Sequence, residues 1–329
     1  RFFTLTNHEL AHVATMDVWN RHDAWWRKFL RGKPMPIQEH PESILYNYLA
    51  TPRNSVPRWY LEGSAVFFET WMAGGLGRAQ GAYDEMVFRA KVRDGDKLYS
   101  PLGLESEGTA VDFQVGVNDY LYGTRFFSSL ALTYGPQKTL EWLKRGEGSA
   151  GFYATQFKRV YGRRLDDVWD EWIAWERVFQ QANLDKLGKY PLTKTVPLSP
   201  RGLGSVSRSF IDPKTNRLVG AFRYPGTIGF VGTLDLATGK LDKLSEIKGM
   251  MLYRVTSLAF DADSRKIFYT EDNYAFRDVI ELDLDSGRKR KLLTDARIGD
   301  LVVNPTDKSI WGIRHQNGFA SIVRIPLPH

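Results

Sequence analysis

The chain has 329 residues, 43% of them hydrophobic, and carries a formal net charge of +7, a composition that allows two ordinary globular domains and argues against disorder. It contains no cysteine, which excludes disulfides, thiolate metal sites and thiol catalysis. No run of eighteen apolar residues is present, and the basic residues form short scattered clusters without a nucleic-acid module, so we expect neither a membrane span nor a nucleic-acid partner.

The first predicted element is a helix over residues 2–19, which carries the string His8-Glu9-Leu10-Ala11-His12. Positions i and i+4 of a helix lie on the same face, so both imidazoles can bind one metal ion. Glu9 lies about 100° round the helix from His8 and can take a proton from a water that the metal holds. We therefore predict His8 and His12 as metal ligands and Glu9 as the general base. The alternative is an accidental spacing in a helix that only packs its histidines.

A third ligand is needed, because catalytic zinc normally takes three protein ligands and leaves one position for water. The helix predicted over residues 58–73 carries Trp59-Tyr60-Leu61-Glu62-Gly63-Ser64-Ala65. Here the sequence resembles the gluzincin metallopeptidases, in particular the aminopeptidase N family, whose third ligand is the Glu of a W-x-x-E-G-x-A segment. The resemblance implies a Zn²⁺ site completed by Glu62; the alternative is that this Glu is an ordinary solvated helix carboxylate.

The spacing between the two motifs departs from the family. Residues 13–61 separate His12 from Glu62, whereas the third ligand of aminopeptidase N relatives follows the second histidine closely. We expect the inserted segment to fold over or beside the cleft. It contains two alternative third ligands, His22 and His40, either of which would make a three-histidine site.

A further carboxylate should hold a ligating imidazole in the correct tautomer. Glu69 lies two turns after Glu62 on the same helix face, and the resemblance supports it because family members carry a Glu seven residues after the ligand. Asp17, on the first helix, is the competing candidate. For each of the two, the alternative is simple solvation at the surface.

Peptide hydrolysis also requires a group that stabilises the developing oxyanion. The segment Tyr120-Leu121-Tyr122-Gly123 resembles the Y-x-K-G helix start of the aminopeptidase N family, with Tyr122 at the lysine position. The resemblance implies that Tyr120 stabilises the transition state, with Tyr122 as the substitute. The chain has fifteen tyrosines, so a packing role for either one stays open.

The rest of the first domain is predicted to be helical. Apolar residues at three- and four-residue intervals predict helices over 42–50, 82–93, 120–134, 137–145, 150–161 and 165–185, with residues 95–117 irregular. The last helix carries Trp169, Trp172 and Trp175, which we expect in the core. The zinc helix starts almost at the first residue, so we expect the sheet that precedes it in the family, and any signal peptide, to lie upstream. We expect the chain as given to hold zinc and to be incomplete for catalysis unless that sheet is supplied otherwise.

After Pro191 the periodicity changes from helical to alternating, which is typical of β-strands. The string Leu234-Asp235-Leu236-Ala237-Thr238-Gly239 recurs as Leu282-Asp283-Leu284-Asp285-Ser286-Gly287, within a repeat of roughly 45 residues that indicates propeller blades. These repeats resemble TolB-like propellers. About three repeats are visible, fewer than a closed propeller has, so we expect further polypeptide or another chain to complete the ring.

The predicted fold class is therefore multidomain α + β: a mainly helical zincin-type catalytic domain over 1–188 and an incomplete β-propeller over 189–329. The predicted function is zinc-dependent hydrolysis of peptide bonds in a peptide or protein substrate, with the propeller restricting access or binding a protein partner. Two alternatives stay open, a catalytically inactive scaffold that binds partners through the propeller and a hydrolase of non-peptide bonds. The resemblance favours a periplasmic or secreted location.

Overall fold

The computed structural model describes residues 2–74, 77–105, 117–198, 205–224, 226–249, 255–326 and 328. The chain divides into two units, Arg1–Thr193 and Lys194–His329, where the sequence analysis predicted a boundary between 188 and 189. The first unit is helical and the second consists of antiparallel sheets, so the protein is a multidomain α + β chain. Within the described residues, none of the helices combines the length and apolar content that crossing a bilayer requires.

The helices of the first unit follow one another with short connections. They are α1 (Phe2–Met16), α2 (Arg21–Phe29), α3 (Ser43–Ala50), α4 (Arg58–Met72), α5 (Ala82–Arg93), α6 (Pro101–Glu105), α7 (Asn118–Tyr134), α8 (Pro136–Leu143), α9 (Tyr153–Tyr161) and α10 (Leu165–Leu187), with 3-10 turns at Pro52–Asn54 and Arg78–Gln80. The predicted helices begin and end within three residues of these bounds. The sequence analysis did not predict helices α2 and α6. It predicted an irregular segment over 95–117, of which residues 106–116 lie outside the described part of the chain.

Aromatic side chains from α4, α7, α8 and α10 form the core of the helical unit. Trp59, Trp142 and Trp169 are fully buried, and Trp59 and Trp169 pack edge to face with ring centroids 4.9 Å apart. Trp172 also belongs to this core, as predicted. The prediction that Trp175 belongs to it is wrong: this side chain is 52% exposed, because it lies at the edge of the buried stripe of α10, and it stacks on Phe179 instead.

The inserted segment is anchored by buried charges. Asp23 of α2 forms an ion pair with Arg145 at 2.6 Å, and both side chains are almost completely buried. Arg53 is also buried, and its guanidinium donates to backbone carbonyls, among them that of Gly151 at 2.7 Å. Both contacts attach the inserted segment to the connection between α8 and α9.

Helices α4 and α7 cross in direct backbone contact at Gly63 and Gly123. A Cβ atom on Gly63 would lie 2.9 Å from the Gly123 carbonyl oxygen and closer still to its Cα, and a Cβ on Gly123 would lie 2.8 Å from the Gly63 Cα. Because no real Cβ tolerates such distances, only glycine allows the two axes to approach this closely. The crossing brings Glu62 of α4 next to Tyr120 of α7.

Helix α1 packs on α4 through small and polar side chains. Its buried residues are Asn7, His8, Ala11 and Thr15. Its large apolar side chains lie on the opposite, exposed face, namely Phe2, Phe3, Leu5, Leu10 and Val13. The contact surface of this helix is therefore the one that carries both histidines, His12 being half-buried.

The second unit contains three successive antiparallel sheets. Their strands are β1 (Ser205–Val206), β2 (Phe210–Asp212), β3 (Arg217–Arg223), β4 (Phe230–Asp235), β5 (Leu241–Glu246), β6 (Leu258–Asp261), β7 (Lys266–Glu271), β8 (Asp278–Asp283), β9 (Lys289–Leu293), β10 (Ile298–Val303), β11 (Ile310–Gln316) and β12 (Phe319–Ile325). The first sheet has the order β1-β3-β4-β5 with β2 also on β3, the second β6-β7-β8-β9 and the third β10-β11-β12. The described residues do not form a closed propeller.

The repeat found in the sequence corresponds to a repeated turn. Asp235 accepts hydrogen bonds from the backbone N–H groups of Ala237 and Thr238, and Asp283 accepts them from Asp285 and Ser286. Each turn ends in a glycine with positive φ, 71° at Gly239 and 69° at Gly287, a backbone conformation that glycine adopts without strain. The two motifs therefore close equivalent hairpins, β4–β5 and β8–β9.

Candidate metal centre

Three side chains from α1 and α4 converge on one point. His8 Nε2 and His12 Nε2 are 3.1 Å apart, and Glu62 Oε2 lies 3.3 Å from each of them. The three residues form a group able to hold a metal ion. One turn of α1 supplies both imidazoles, and the packing of α1 on α4 brings the carboxylate to them.

The spacing of these atoms fits a small divalent cation. Nitrogen and oxygen ligands bonded to zinc at 2.0–2.1 Å in a tetrahedral arrangement lie about 3.3 Å from one another, close to the observed 3.1–3.3 Å. With the Nδ1–H of His8 donating to Glu69, loss of the Nε2 proton would leave a lone pair on Nε2 that faces the Glu62 carboxylate. A cation satisfies both imidazoles and the carboxylate together. This donor set of two imidazoles and one carboxylate suits zinc and other transition metals and does not select one of them.

The carboxylates of Glu62 and Glu69 favour a positive charge at this group, either a proton on His8 or a metal cation. Hydrogen bonds to Glu62 and Glu69 raise the pKa of His8 to about 9, although burial opposes this shift. Burial raises the pKa of the Glu62 carboxyl, but hydrogen bonds from His12 and His8 outweigh it and hold that pKa well below its usual range. A proton and a metal ion therefore compete for the same His8 nitrogen.

Glu69 is buried beside His8, and its Oε2 accepts the His8 Nδ1 hydrogen bond at 2.8 Å. Asp17 does not lie at this site: its carboxylate binds Lys33 Nζ at 2.7 Å and Arg27 Nη2 at 3.3 Å. Asp17 pairs with these two cations of the inserted segment, Arg27 and Lys33, and not with an imidazole of the metal group. Among the described residues, no hydrogen-bond partner is found for His12 Nδ1, so the orienting carboxylate serves His8 alone.

Tyr120 lies beside the metal group. Its ring stacks on the His8 ring with centroids 6.2 Å apart and an interplanar angle of 18°, and its hydroxyl hydrogen-bonds the Glu62 carboxylate. Burial and this bond raise the pKa of Tyr120, so the hydroxyl keeps its proton at neutral pH. Tyr122 is instead fully buried in the core, where its hydroxyl accepts a hydrogen bond from the Tyr99 backbone N–H at 3.3 Å.

The other candidate residues lie at the surface. Glu9 is exposed and follows His8 directly on α1. The alternative third ligands are not part of the metal group: His22 contacts Asp23 and Trp26, and His40 pairs with Glu42 at 3.3 Å.

Two arginines that the sequence analysis did not single out lie at this site. Arg58 Nε is 3.9 Å from Glu62 Oε1 and 3.6 Å from Oδ2 of the buried Asp119. Its position four residues before Glu62 on a helix is a local signal that could have identified it. The guanidinium of Arg78 lies 5.1 Å from the centroid of the Tyr120 ring. No local sequence pattern predicts this contact.

No protein-family model matches the chain, and neither does any curated protein. Among solved structures, the chain is weakly similar to the crystal structure of TolB from Acinetobacter baumannii, with 16% identity and a TM-score of 0.32 over 39% of this chain. The match spans 30% of that TolB chain, and a likeness this weak carries no argument about fold or function.

Proposed function

We propose that the helical unit is a zinc-dependent peptidase. One observation carries the proposal, namely the convergence of His8 Nε2, His12 Nε2 and Glu62 Oε2 within 3.1–3.3 Å of one another, with Glu9 adjacent on the same helix. Three nitrogen and oxygen ligands with a neighbouring carboxylate are the set that metal-assisted hydrolysis uses. When bound, Zn²⁺ supplies a Lewis acid that polarises the scissile carbonyl and makes water acidic at neutral pH.

The remaining roles belong to side chains of this chain. The Glu9 carboxylate accepts a proton from the attacking water and delivers it to the leaving amine nitrogen, so that water and the peptide bond become a carboxylic acid and an amine. The Tyr120 hydroxyl, which keeps its proton, donates a hydrogen bond to the carbonyl oxygen as negative charge develops there. Glu69 holds the Nδ1–H of His8 and so keeps the Nε2 lone pair available.

We further propose that the three sheets of the second unit are consecutive propeller blades that restrict access to substrate or bind a partner. The equivalent hairpins at Asp235 and Asp283 support this proposal. So does a repeated contact between successive sheets, in which Asp212 at the end of β2 binds Arg265 and Asp261 at the end of β6 binds Lys308.

The test combines metal analysis with substrate cleavage. The full-length parent protein, its Glu9→Gln variant and its exposed control variant Glu141→Gln are purified, their zinc content is measured by plasma mass spectrometry, and a broad peptide library is digested. We expect one equivalent of zinc in all three proteins. We expect cleavage by the parent and by Glu141→Gln, and a rate about 10²–10⁴-fold lower for Glu9→Gln, because that variant loses the proton acceptor.

Two outcomes would overturn the proposal. If a double variant His8→Ala/His12→Ala retained as much zinc as the parent, the proposed metal site would be ruled out. Zinc at one equivalent without cleavage by the parent would favour a binding scaffold over a peptidase.

A further inference from the structure

Resting on the proposed peptidase function, we propose that Arg78 forms an anion-binding subsite beside the metal group and selects peptides that carry a carboxylate close to the scissile bond. The carboxylate belongs either to an Asp or Glu side chain or to the C-terminus of the substrate. Both sources present the same planar pair of oxygens to the guanidinium.

The turn that carries Arg78 is fixed to helix α4. Thr70 is buried, and its Oγ1 donates to the Val66 carbonyl at 2.9 Å and accepts the Ala79 backbone N–H at 3.1 Å. Gly77 packs so closely that a Cβ on it would lie 2.8 Å from the Thr70 Cβ. The backbone on both sides of Arg78 is therefore held against the residue that follows Glu69.

The side chain of Arg78 reaches the ring of Tyr120, which stacks on the ring of His8. Its guanidinium carbon lies 5.1 Å from the Tyr120 ring centroid, and that centroid lies 6.2 Å from the His8 ring centroid. These two distances place the guanidinium no more than about 11 Å from the His8 ring. An extended peptide rises about 3.3 Å per residue, so this distance corresponds to about three substrate residues.

The charge of Arg78 is available to a ligand. In the part of the chain that the structure describes, no carboxylate lies within ion-pair distance of its guanidinium, and the side chain is exposed. Asp84 acts on Arg78 only through charge, from a buried position beyond ion-pair distance. The neighbouring Arg58 differs, since Asp119 and Glu62 already lie 3.6 and 3.9 Å from it.

These observations distinguish Arg78 from an ordinary surface arginine. Cation–π attraction to the Tyr120 ring, whose centroid lies 5.1 Å away, positions the guanidinium and uses none of its N–H groups as a hydrogen-bond donor. A guanidinium held in this way binds a carboxylate through two parallel hydrogen bonds. Lysine in its place would keep the charge and lose the paired geometry.

The experiment measures cleavage of matched peptides by the full, zinc-loaded chain. One set of pairs differs by Glu against Gln at each of the three residues nearest the scissile bond, and a second pair by a free C-terminus against a C-terminal amide. The proteins are the parent, Arg78→Gln, Arg78→Lys and the control Arg93→Gln, an exposed arginine on α5. Zinc content is measured for each, so that damage to the metal group is recognised.

We expect the parent and Arg93→Gln to prefer the carboxylate member of one pair by about 10- to 100-fold in kcat/KM, the size of a charge-assisted hydrogen-bond contribution. Arg78→Gln should lose this preference, so that its kcat/KM values for the two members of the pair lie within about twofold of each other. Arg78→Lys should keep part of the preference. The pair that responds identifies the source of the carboxylate.

A second readout separates this proposal from the peptidase proposal. The Glu9→Gln variant, with and without Arg78→Gln, is titrated with the fluorescently labelled peptides, and binding is followed by anisotropy. Tighter binding of carboxylate peptides that disappears with Arg78→Gln supports the subsite even where the parent cleaves nothing. Equal affinity for the charged and uncharged peptides, or a preference that survives Arg78→Gln, would overturn it.

Discussion

The His8 imidazole is held at both nitrogens. Its Nδ1 donates to the buried Glu69 at 2.8 Å, and its Nε2 lies 3.1 Å from His12 Nε2 and 3.3 Å from Glu62 Oε2. A carboxylate behind a ligating imidazole fixes the ring and makes its other nitrogen more basic. Glu69 would therefore influence a metal bound at His8 through the imidazole.

Replacing Glu69 with Gln should weaken metal binding without removing a ligand. The Gln carbonyl oxygen still accepts the His8 Nδ1–H, but the negative charge behind the imidazole is lost. We expect the zinc Kd to rise about 10- to 100-fold, measured by competition with a chromogenic chelator. Glu141→Gln serves as the control and should bind zinc like the parent; an unchanged Kd in Glu69→Gln would contradict the assigned role.

The residues of the candidate site differ in how far local sequence predicts them. His8, Glu9 and His12 are related by helix geometry alone, and Glu62 and Glu69 lie two turns apart on one face, so spacing suffices to bring each set to one side. The choice between Glu69 and Asp17, and between Tyr120 and Tyr122, depends on which helix faces which. Local spacing contains no information on that packing, and the same holds for Arg78.

Among the helices, α2 was missed although its start is marked in the sequence. Asn20 accepts the Asp23 backbone N–H, and the Asp23 carboxylate accepts the Asn20 backbone N–H, which together form a capping box. The helix has only nine residues and lies within an insertion, so its apolar periodicity is short. Helix α1 accordingly ends at Met16, before the predicted residue 19, because Asn20 adopts the extended conformation that caps the next helix.

The crossing of α4 and α7 predicts a large effect of one methyl group. Gly63→Ala would force the two helices apart, since its Cβ would overlap the Gly123 backbone. We expect the free energy of unfolding to fall by about 1–3 kcal/mol, the usual cost of overpacking, and the zinc affinity to fall because Glu62 moves with the helix. Urea denaturation followed by tryptophan fluorescence measures the first effect.

The matched control is Gly188→Ala at the C-terminal end of α10. Its φ of −62° suits any residue, and an added Cβ would lie 3.4 Å from the nearest atom, the Leu184 carbonyl oxygen. This variant should be as stable as the parent. Equal stability of the Gly63 and Gly188 variants would refute the argument from close helix contact.

In the second unit, the contact between β6 and the third sheet predicts a sensitivity to acid. Burial raises the pKa of Asp261, but hydrogen bonds from Ser264 and Lys308 outweigh it and leave that pKa below its ordinary value. A carboxyl whose pKa is lowered by folding stabilises the native state above its unfolded pKa near 3.9, and this contribution is lost as the pH falls through the lower native pKa.

Asp261→Asn should remove that contribution. We expect the variant to be less stable than the parent at pH 6 and to approach the parent as the pH falls below about 4. Urea denaturation at both pH values, followed by far-UV circular dichroism, measures the difference. A constant difference between the two proteins at every pH would show that the Asp261 carboxylate does not stabilise the fold by its charge.

At the scale of the whole molecule, the two units have separate cores. Aromatic residues dominate the helical core, whereas aliphatic side chains of β3, β4, β6, β7 and β8 form the largest core of the second unit. The change of apolar period after Pro191 predicted this division, because periods of 3.6 and 2 residues are local properties. Whether the sheets close into a ring is not local, and the repeat does not contain that information.

A metal bound only by the native helical unit must stabilise it. The three candidate ligands come from two separate helices, which an unfolded chain does not hold together, so a zinc ion bound there at 100 times its Kd should add about 2.7 kcal/mol to the free energy of unfolding. All tryptophans except Trp311 belong to the first unit, and their fluorescence therefore reports this transition. The exposed control His40→Ala should respond to zinc like the parent, whereas an equal response of His8→Ala would contradict the site.

Helix α1 buries no large apolar side chain, so hydrophobic burial contributes little to its attachment. We expect the attachment of this helix to α4 to depend mainly on the contacts of His8 and His12 with Glu62, directly or through a bound metal ion. A chelating agent that removes the metal would then release helix α1, Phe2–Met16, while the aromatic core of the helical unit stays folded. The peptide bonds of this helix would then become accessible to an added protease, and loss of a bound metal would be detected as cleavage within it.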